Sequence, residues 1–208
     1  MFVEHWLAFA AASALLLLLP GPTVLMVISH ALAHGRRSAA ATVAGVVLGD
    51  FTAMTASLVG LGAALQASSS LFTLLRWVGA IYLVFLGVRL WRAPLGEPKL
   101  EADAATTPRR MLMHAYAVTS LNPKTIVFFI AFVPQFLARS YPPFPQLAVF
   151  EATFVTLAGV NALFYALTAS AARQTIQKPR VQRTVNRAGG TLLVGAGALA
   201  AFWRGSSA

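Results

Sequence analysis

The sequence predicts an all-α, polytopic membrane protein: six transmembrane helices in two inverted three-helix repeats, with helices 1 and 4 interrupted. Three observations lead there. Of 208 residues, 58% are hydrophobic and 11% charged, with mean hydropathy +0.71, whereas an ordinary soluble domain carries roughly 25% charged residues. Apolar windows of about 20 residues, the length a helix needs to cross hydrocarbon, recur along nearly the whole chain. Rare polar and proline motifs also recur at matching places in the two halves.

The windows give spans at Trp6–Ala33, Ser38–Leu65, Phe72–Trp91, Met111–Ala138, Leu147–Ala171 and Ala188–Trp203. "MFVEHW" lacks the basic n-region of a signal peptide and the run behind it is too long for one, so it reads as the first span. A polar stretch, "RAPLGEPKLEADAATTPRR", divides the chain into a first repeat (1–93), a loop (94–110) and a second repeat (111–208).

A net charge of +10 would suggest nucleic acid in a soluble protein, but here the basic residues stand between the apolar segments, so no nucleic-acid partner is expected. Counting Arg89 at the end of span three, the gaps after spans one, three and five hold twelve of the sixteen Lys and Arg. The positive-inside bias makes these gaps cytoplasmic and places both termini outside, in the periplasm. The chain has no cysteine, which excludes disulfides and thiolate metal sites. No cofactor is expected.

Within span one, "LPGPTVLMV" places Pro20 and Pro22 around Gly21. Neither proline donates a backbone hydrogen bond, and each disfavours helix in the residue before it, so the helix breaks there and restarts with Pro22 in its first turn. "NPKTIVF" in span four reads the same way, Asn122 as N-cap and Pro123 as first helical residue. Each restart frees up to four N–H donors inside the membrane, around Thr23, Val24 and Leu25 in one half and Lys124, Thr125 and Ile126 in the other. A carboxylate would satisfy them, with the Thr23 and Thr125 hydroxyls in reach.

"LGD" (Leu48–Asp50) is answered by "GVN" (Gly159–Asn161), and "RWVGAIYLVFLGVRLWR" by "NRAGGTLLVGAGALAAFWR". Because each unit has three spans, the second unit lies upside down relative to the first, as in many secondary transporters. Asp50 is the one deep acid, roughly 18 Å from the cytoplasmic end of its span at about 1.5 Å per residue. Burying it costs at least about 2.5 kcal/mol, so it is read as a proton carrier or as the ligand of a substrate cation. Asn161, at the equivalent repeat position, is a polar candidate without charge. On the Asp50 helix, Ala41, Gly45, Gly49, Ala53 and Ser57 recur every four residues, a stripe suited to close helix packing within one chain or between two copies in a homodimer. His30 and His34 share a helix face, but with no acid or thiolate nearby in sequence they read as interfacial and no metal is expected.

Together, "PGPTVLMVISHALAHGRRSAAATVAGVVLGD", "LRWVGAIYLVFLGVRLW" and "LNPKTIVFFIAFVPQF" resemble the LysE/RhtB family of bacterial amino-acid exporters. The family pattern falls on Gly21, Pro22, Gly35, Arg36, Gly45, Gly49, Asp50, Asn122, Pro123 and Pro134 to Phe136. The resemblance implies export of amino acids or close derivatives across the inner membrane, driven by the proton gradient. The residues themselves suggest that the two broken helices hold a substrate carboxylate while Asp50 takes the ammonium or the exchanged proton. A single deep acid favours neutral amino acids over dibasic ones. Two other functions compete with this reading: a metal-cation exporter on a similar scaffold, and a non-transport subunit or enzyme embedded in the membrane. The first would need clustered ligands, and an intramembrane hydrolase would need a nucleophile beside a base.

Overall fold

The computed structural model describes residues 2–19, 21–35, 38–67, 69–93, 107–138, 140–169 and 178–202. Among them every regular element is helical. Helix α1 (Phe2–Leu18) is followed after a break by α2 (Pro22–His34), then α3 (Ala39–Ala67) and α4 (Ser69–Trp91). The second half begins with α5 (Pro108–Ser120) and α6 (Pro123–Phe132), extended by a 3-10 turn at Val133–Phe136. It ends with α7 (Pro143–Leu167) and α8 (Pro179–Phe202).

Both expected interruptions are present. α1 and α2 meet at 55°, and α5 meets α6 at 44°. Pro22 and Pro123 each stand in the first turn of the restarted helix, where the missing N–H costs nothing. Pro20 lies outside the described residues, as do Arg36, Arg37, Trp203 and the 94–106 part of the loop. Five helices (α1, α4, α5, α7 and α8) start earlier than the apolar windows suggested, and at α5, α7 and α8 the added first turns are admitted by N-terminal caps and prolines. α5 is capped by the Thr107 hydroxyl accepting from the Arg110 N–H at 3.4 Å, and α7 and α8 open with Pro143 and Pro179.

α3 and α7 are each long and apolar enough to cross a bilayer, and each bent pair is so when taken as one span. α4 contributes a shorter apolar run, Trp77–Trp91. Val59, Ile81, Val160 and Phe164 all present large apolar side chains to the outside at more than half exposure, an arrangement suited to lipid rather than water. The protein is therefore an all-helical, polytopic membrane protein.

The core has two parts. Around the N-terminal end of α1, seven rings interlock: Phe9 stacks on Phe150 at 4.5 Å, Phe129 meets Phe154 edge-on at 4.7 Å, and Phe128, Phe132 and Phe136 continue the cluster. Beyond the breaks the packing changes to Val, Ile and Ala, including Val27, Ile28, Val46, Ala115 and Ala162. Gln146 fastens the turn before α7, accepting from the Ala138 N–H at 2.8 Å and donating to the Ala138 carbonyl at 3.0 Å.

The small-residue stripe of α3 is used inside the chain, against α5. A side-chain carbon on Gly49 would lie 2.8 Å from Thr119 Cβ and 3.0 Å from the Tyr116 carbonyl oxygen. α4 and α8 approach through another glycine pair, since a carbon on Gly87 would lie 2.7 Å from the Gly190 carbonyl oxygen. Gly60, by contrast, has open space around it. The same replacement should therefore have opposite effects at two positions of one helix. Gly49→Ala is expected to lower stability by about 1–3 kcal/mol through overpacking, whereas Gly60→Ala should be neutral or gain up to about 1 kcal/mol of helix propensity. Thermal unfolding of the detergent-solubilised variants measures both.

Candidate functional site

A helix leaves its last four carbonyls without intrahelical partners, and inside a bilayer each unpaired carbonyl costs several kcal/mol. α1 ends in this situation at Leu18, and three side chains from the second half meet its end. Lys124 Nζ donates to the Leu16 and Leu19 carbonyls at 3.2 and 3.3 Å. Asn161 Nδ2 donates to the Leu17 carbonyl at 3.1 Å, and the Tyr165 hydroxyl to the Leu18 carbonyl at 3.3 Å. The ammonium of Lys124 also opposes the negative end of the α1 dipole. Gly21 lies beside it, a side-chain carbon there standing 3.5 Å from Nζ, an ordinary contact distance.

The two restarted helices are capped differently. Asn122 Oδ1 accepts from the Lys124 N–H at 3.1 Å, and the Asn122 carbonyl accepts from the Thr125 and Ile126 N–H groups, each at 3.1 Å. The donors expected to be free in this half are therefore taken within the chain, a correction to the expectation of two open N-termini. No side chain caps α2, whose N-cap is Gly21. Asn122 also ties the two breaks together, its Nδ2 donating to Thr23 Oγ1 at 3.4 Å.

These groups surround one small cavity of about 30 Å³ in this conformation. Of the residues singled out in the sequence, Gly21, Thr23, Asp50, Asn122, Lys124, Thr125 and Asn161 all line it. Pro22 and Pro123 do not, and act by setting the backbone. Asp50 reaches the cavity from α3 and is only 3% exposed. Its carboxylate has no hydrogen-bond or ion-pair partner among the described residues, although it and Lys124 interact electrostatically across the cavity. The walls between the polar groups are Leu16, Val24, Val27, Val46 and Ala158. One carboxylate, one ammonium and an uncapped helix start thus face a common, largely apolar space.

Sequence reasoning missed two contributors. The carbonyl end of α1 carries no sequence signal of its own: proline marks the donors it frees, not the acceptors left behind. Tyr165 was overlooked although it stands four residues after Asn161, on the same helix face. Among the described residues, no group of three or more His, Asp or Glu is arranged to hold a metal ion.

The sequence matches the LysE type translocator family over residues 14–202. It is 35% identical over 205 residues to the homoserine/homoserine lactone efflux protein of Salmonella typhi, covering 98% of this chain and 99% of that protein. An uncharacterized membrane protein of Vibrio cholerae is 30% identical over 97% of this chain and 98% of its own. The leucine efflux protein of Klebsiella pneumoniae is 31% identical over 66% of this chain and 67% of its own. No solved structure matches. With these similarities spanning both helix breaks and the Asp50 helix, the chain belongs to the LysE type translocator family.

Proposed function

We propose that this protein is a secondary exporter of amino acids or close derivatives across the bacterial inner membrane, exchanging substrate for protons. The cavity at the helix breaks carries the reading. A zwitterion needs both poles met in an apolar setting, and here Asp50 faces Lys124 and the uncapped start of α2 across one void. Asp50 would take the ammonium group or, between substrates, the exchanged proton; Lys124 and the α2 amides would take the carboxylate. One acid matched by one base suits neutral amino acids. The relatives named for homoserine and leucine efflux support the same substrate class.

An inverted repeat accounts for how these parts pair. α3 packs beside α7 and α4 beside α8, each helix next to its counterpart in the other half, and Asn122 bonds to Thr23 across the two breaks. With the termini outside, the phenylalanine cluster forms the outer barrier, while the thinner Val and Ala layer closes the cytoplasmic side. Rocking one repeat against the other would open these barriers in turn. The α3 stripe is taken up by α5 within this chain at Gly45 and Gly49.

Three outcomes follow for the protein in reconstituted vesicles. With labelled homoserine and leucine as probes, Asp50→Asn and Asp50→Ala should cut gradient-driven export by at least about ten-fold; unchanged export would remove Asp50 from the mechanism. Lys124→Gln keeps a donor for the α1 carbonyls but loses the charge, so the variant should fold while its half-saturating substrate concentration rises about ten-fold or more. An unchanged value would reduce Lys124 to a helix cap. Because the natural chain has no cysteine, single replacements report topology cleanly: Ser140→Cys should react with a membrane-impermeant maleimide from outside and Ala105→Cys only from inside. The reverse pattern would invert the proposed orientation.

A further inference from the structure

A second polar cluster stands one helical turn beyond the cavity, on the side away from the phenylalanines. His30 of α2 is 4% exposed. Its Nδ1 is 3.1 Å from the Thr42 hydroxyl of α3, and its Nε2 is 3.3 Å from Nδ1 of His114 on α5. His114 is exposed, one turn from Arg110 at the start of α5. The His34 ring stands 6.4 Å from that of His30, and both its nitrogens are buried without a hydrogen-bond partner. His30 and Thr42 each lie one turn from a cavity wall residue, Val27 and Val46 respectively.

We infer that His114, His30 and Thr42 form a proton route between the cytoplasmic surface and the Asp50 cavity; the inference rests on the proton-exchange reading above. Neutral imidazole donates from one nitrogen and accepts at the other, so His30, bonded on both sides, passes a proton by taking one and releasing one. Three imidazoles this close repel one another when charged. The cluster therefore holds few protons at once and hands them on rather than storing them. His34, also facing His30, and Arg110 near His114 reinforce that repulsion.

In the export cycle the Asp50 carboxylic acid, loaded from outside, loses its proton toward the Thr42 hydroxyl. Each transfer then breaks one N–H or O–H bond and forms the next, and His114 releases the proton to water, leaving Asp50 as carboxylate. Thr42 and Asp50 are eight residues apart on α3, about 12 Å of rise. Along that interval the Thr119 hydroxyl is buried without a partner and packs on Gly49 beside the acid, and the Ser29 hydroxyl, next to His30 in sequence, is likewise buried and unpartnered. They supply polar relay points once the Val27 and Val46 layer, packed together in this structure, opens in the transport cycle.

The test separates proton movement from substrate movement in vesicles containing the full-length protein. Labelled homoserine and leucine are followed in counterflow at equal pH, which needs no net proton transfer, and in uptake driven by a pH gradient with an entrapped pH dye. For His30→Gln and His114→Gln, counterflow should stay within about two-fold of the unmodified protein, while gradient-driven uptake and dye response fall at least about ten-fold. Unchanged gradient-driven uptake overturns the route, and so does counterflow that falls in step with it, which would make the imidazoles packing or binding groups. If His30→Gln does not fold, His114→Gln, at an exposed position, decides alone. If the unmodified protein shows no counterflow of either probe, the export reading falls first and this inference with it.

Discussion

The constraint behind the rest of the structure is that a helix stopped inside a bilayer must have its last carbonyls bonded. α1 stops beside Pro20 and Gly21, and water is not at hand to satisfy what the break exposes. Lys124, Asn161 and Tyr165 take up that duty from α6 and α7. Each is held by its own helix at the right height. The requirement brings a cation to the break between α1 and α2, and a cation there is tolerable beside helix carbonyls and an opposing acid. The presence of Asp50 across the same void follows the same electrostatic reasoning: the carboxylate and the ammonium make each other less costly without touching.

The two breaks share this burden unequally. At α6 the Asn122 side chain and carbonyl consume the first-turn donors internally. At α2 the cap is glycine, and no side chain does so. Only one of two similar sequence motifs therefore offers an open helix start, and the asymmetry gives the cavity a direction, with the acid and the uncapped amides reached from the first half and the ammonium from the second. A repeat fold with identical motifs would have no such polarity.

Much of this was legible in the sequence because it depends on local chemistry. Proline removes a donor wherever it stands, so both breaks could be placed to the residue. A single acid in an apolar helix is conspicuous, and small residues every four positions mark a seam. The partners of those features were not legible. Lys124 reaches a carbonyl 108 positions away and His114 meets an imidazole 84 positions away, separations over which no periodicity carries information. Nor does a stretch of leucines announce that its backbone is what needs attention. Helix starts were misplaced where polar turns begin a membrane helix, as at Pro179, because hydropathy sees the side chains and not the cap.

The glycine contact between α4 and α8 bears on how the molecule is made. Gly87 and Gly190 bring two backbones together so closely that neither surface is complete without the other. α8 follows α4 only after three intervening helices, so α4 leaves the ribosome with its groove unfilled and keeps lipid against it until α8 is made. Truncation before α8 would strand the preceding helices with an open seam, and membrane quality control would meet that seam as the mark of an unfinished chain.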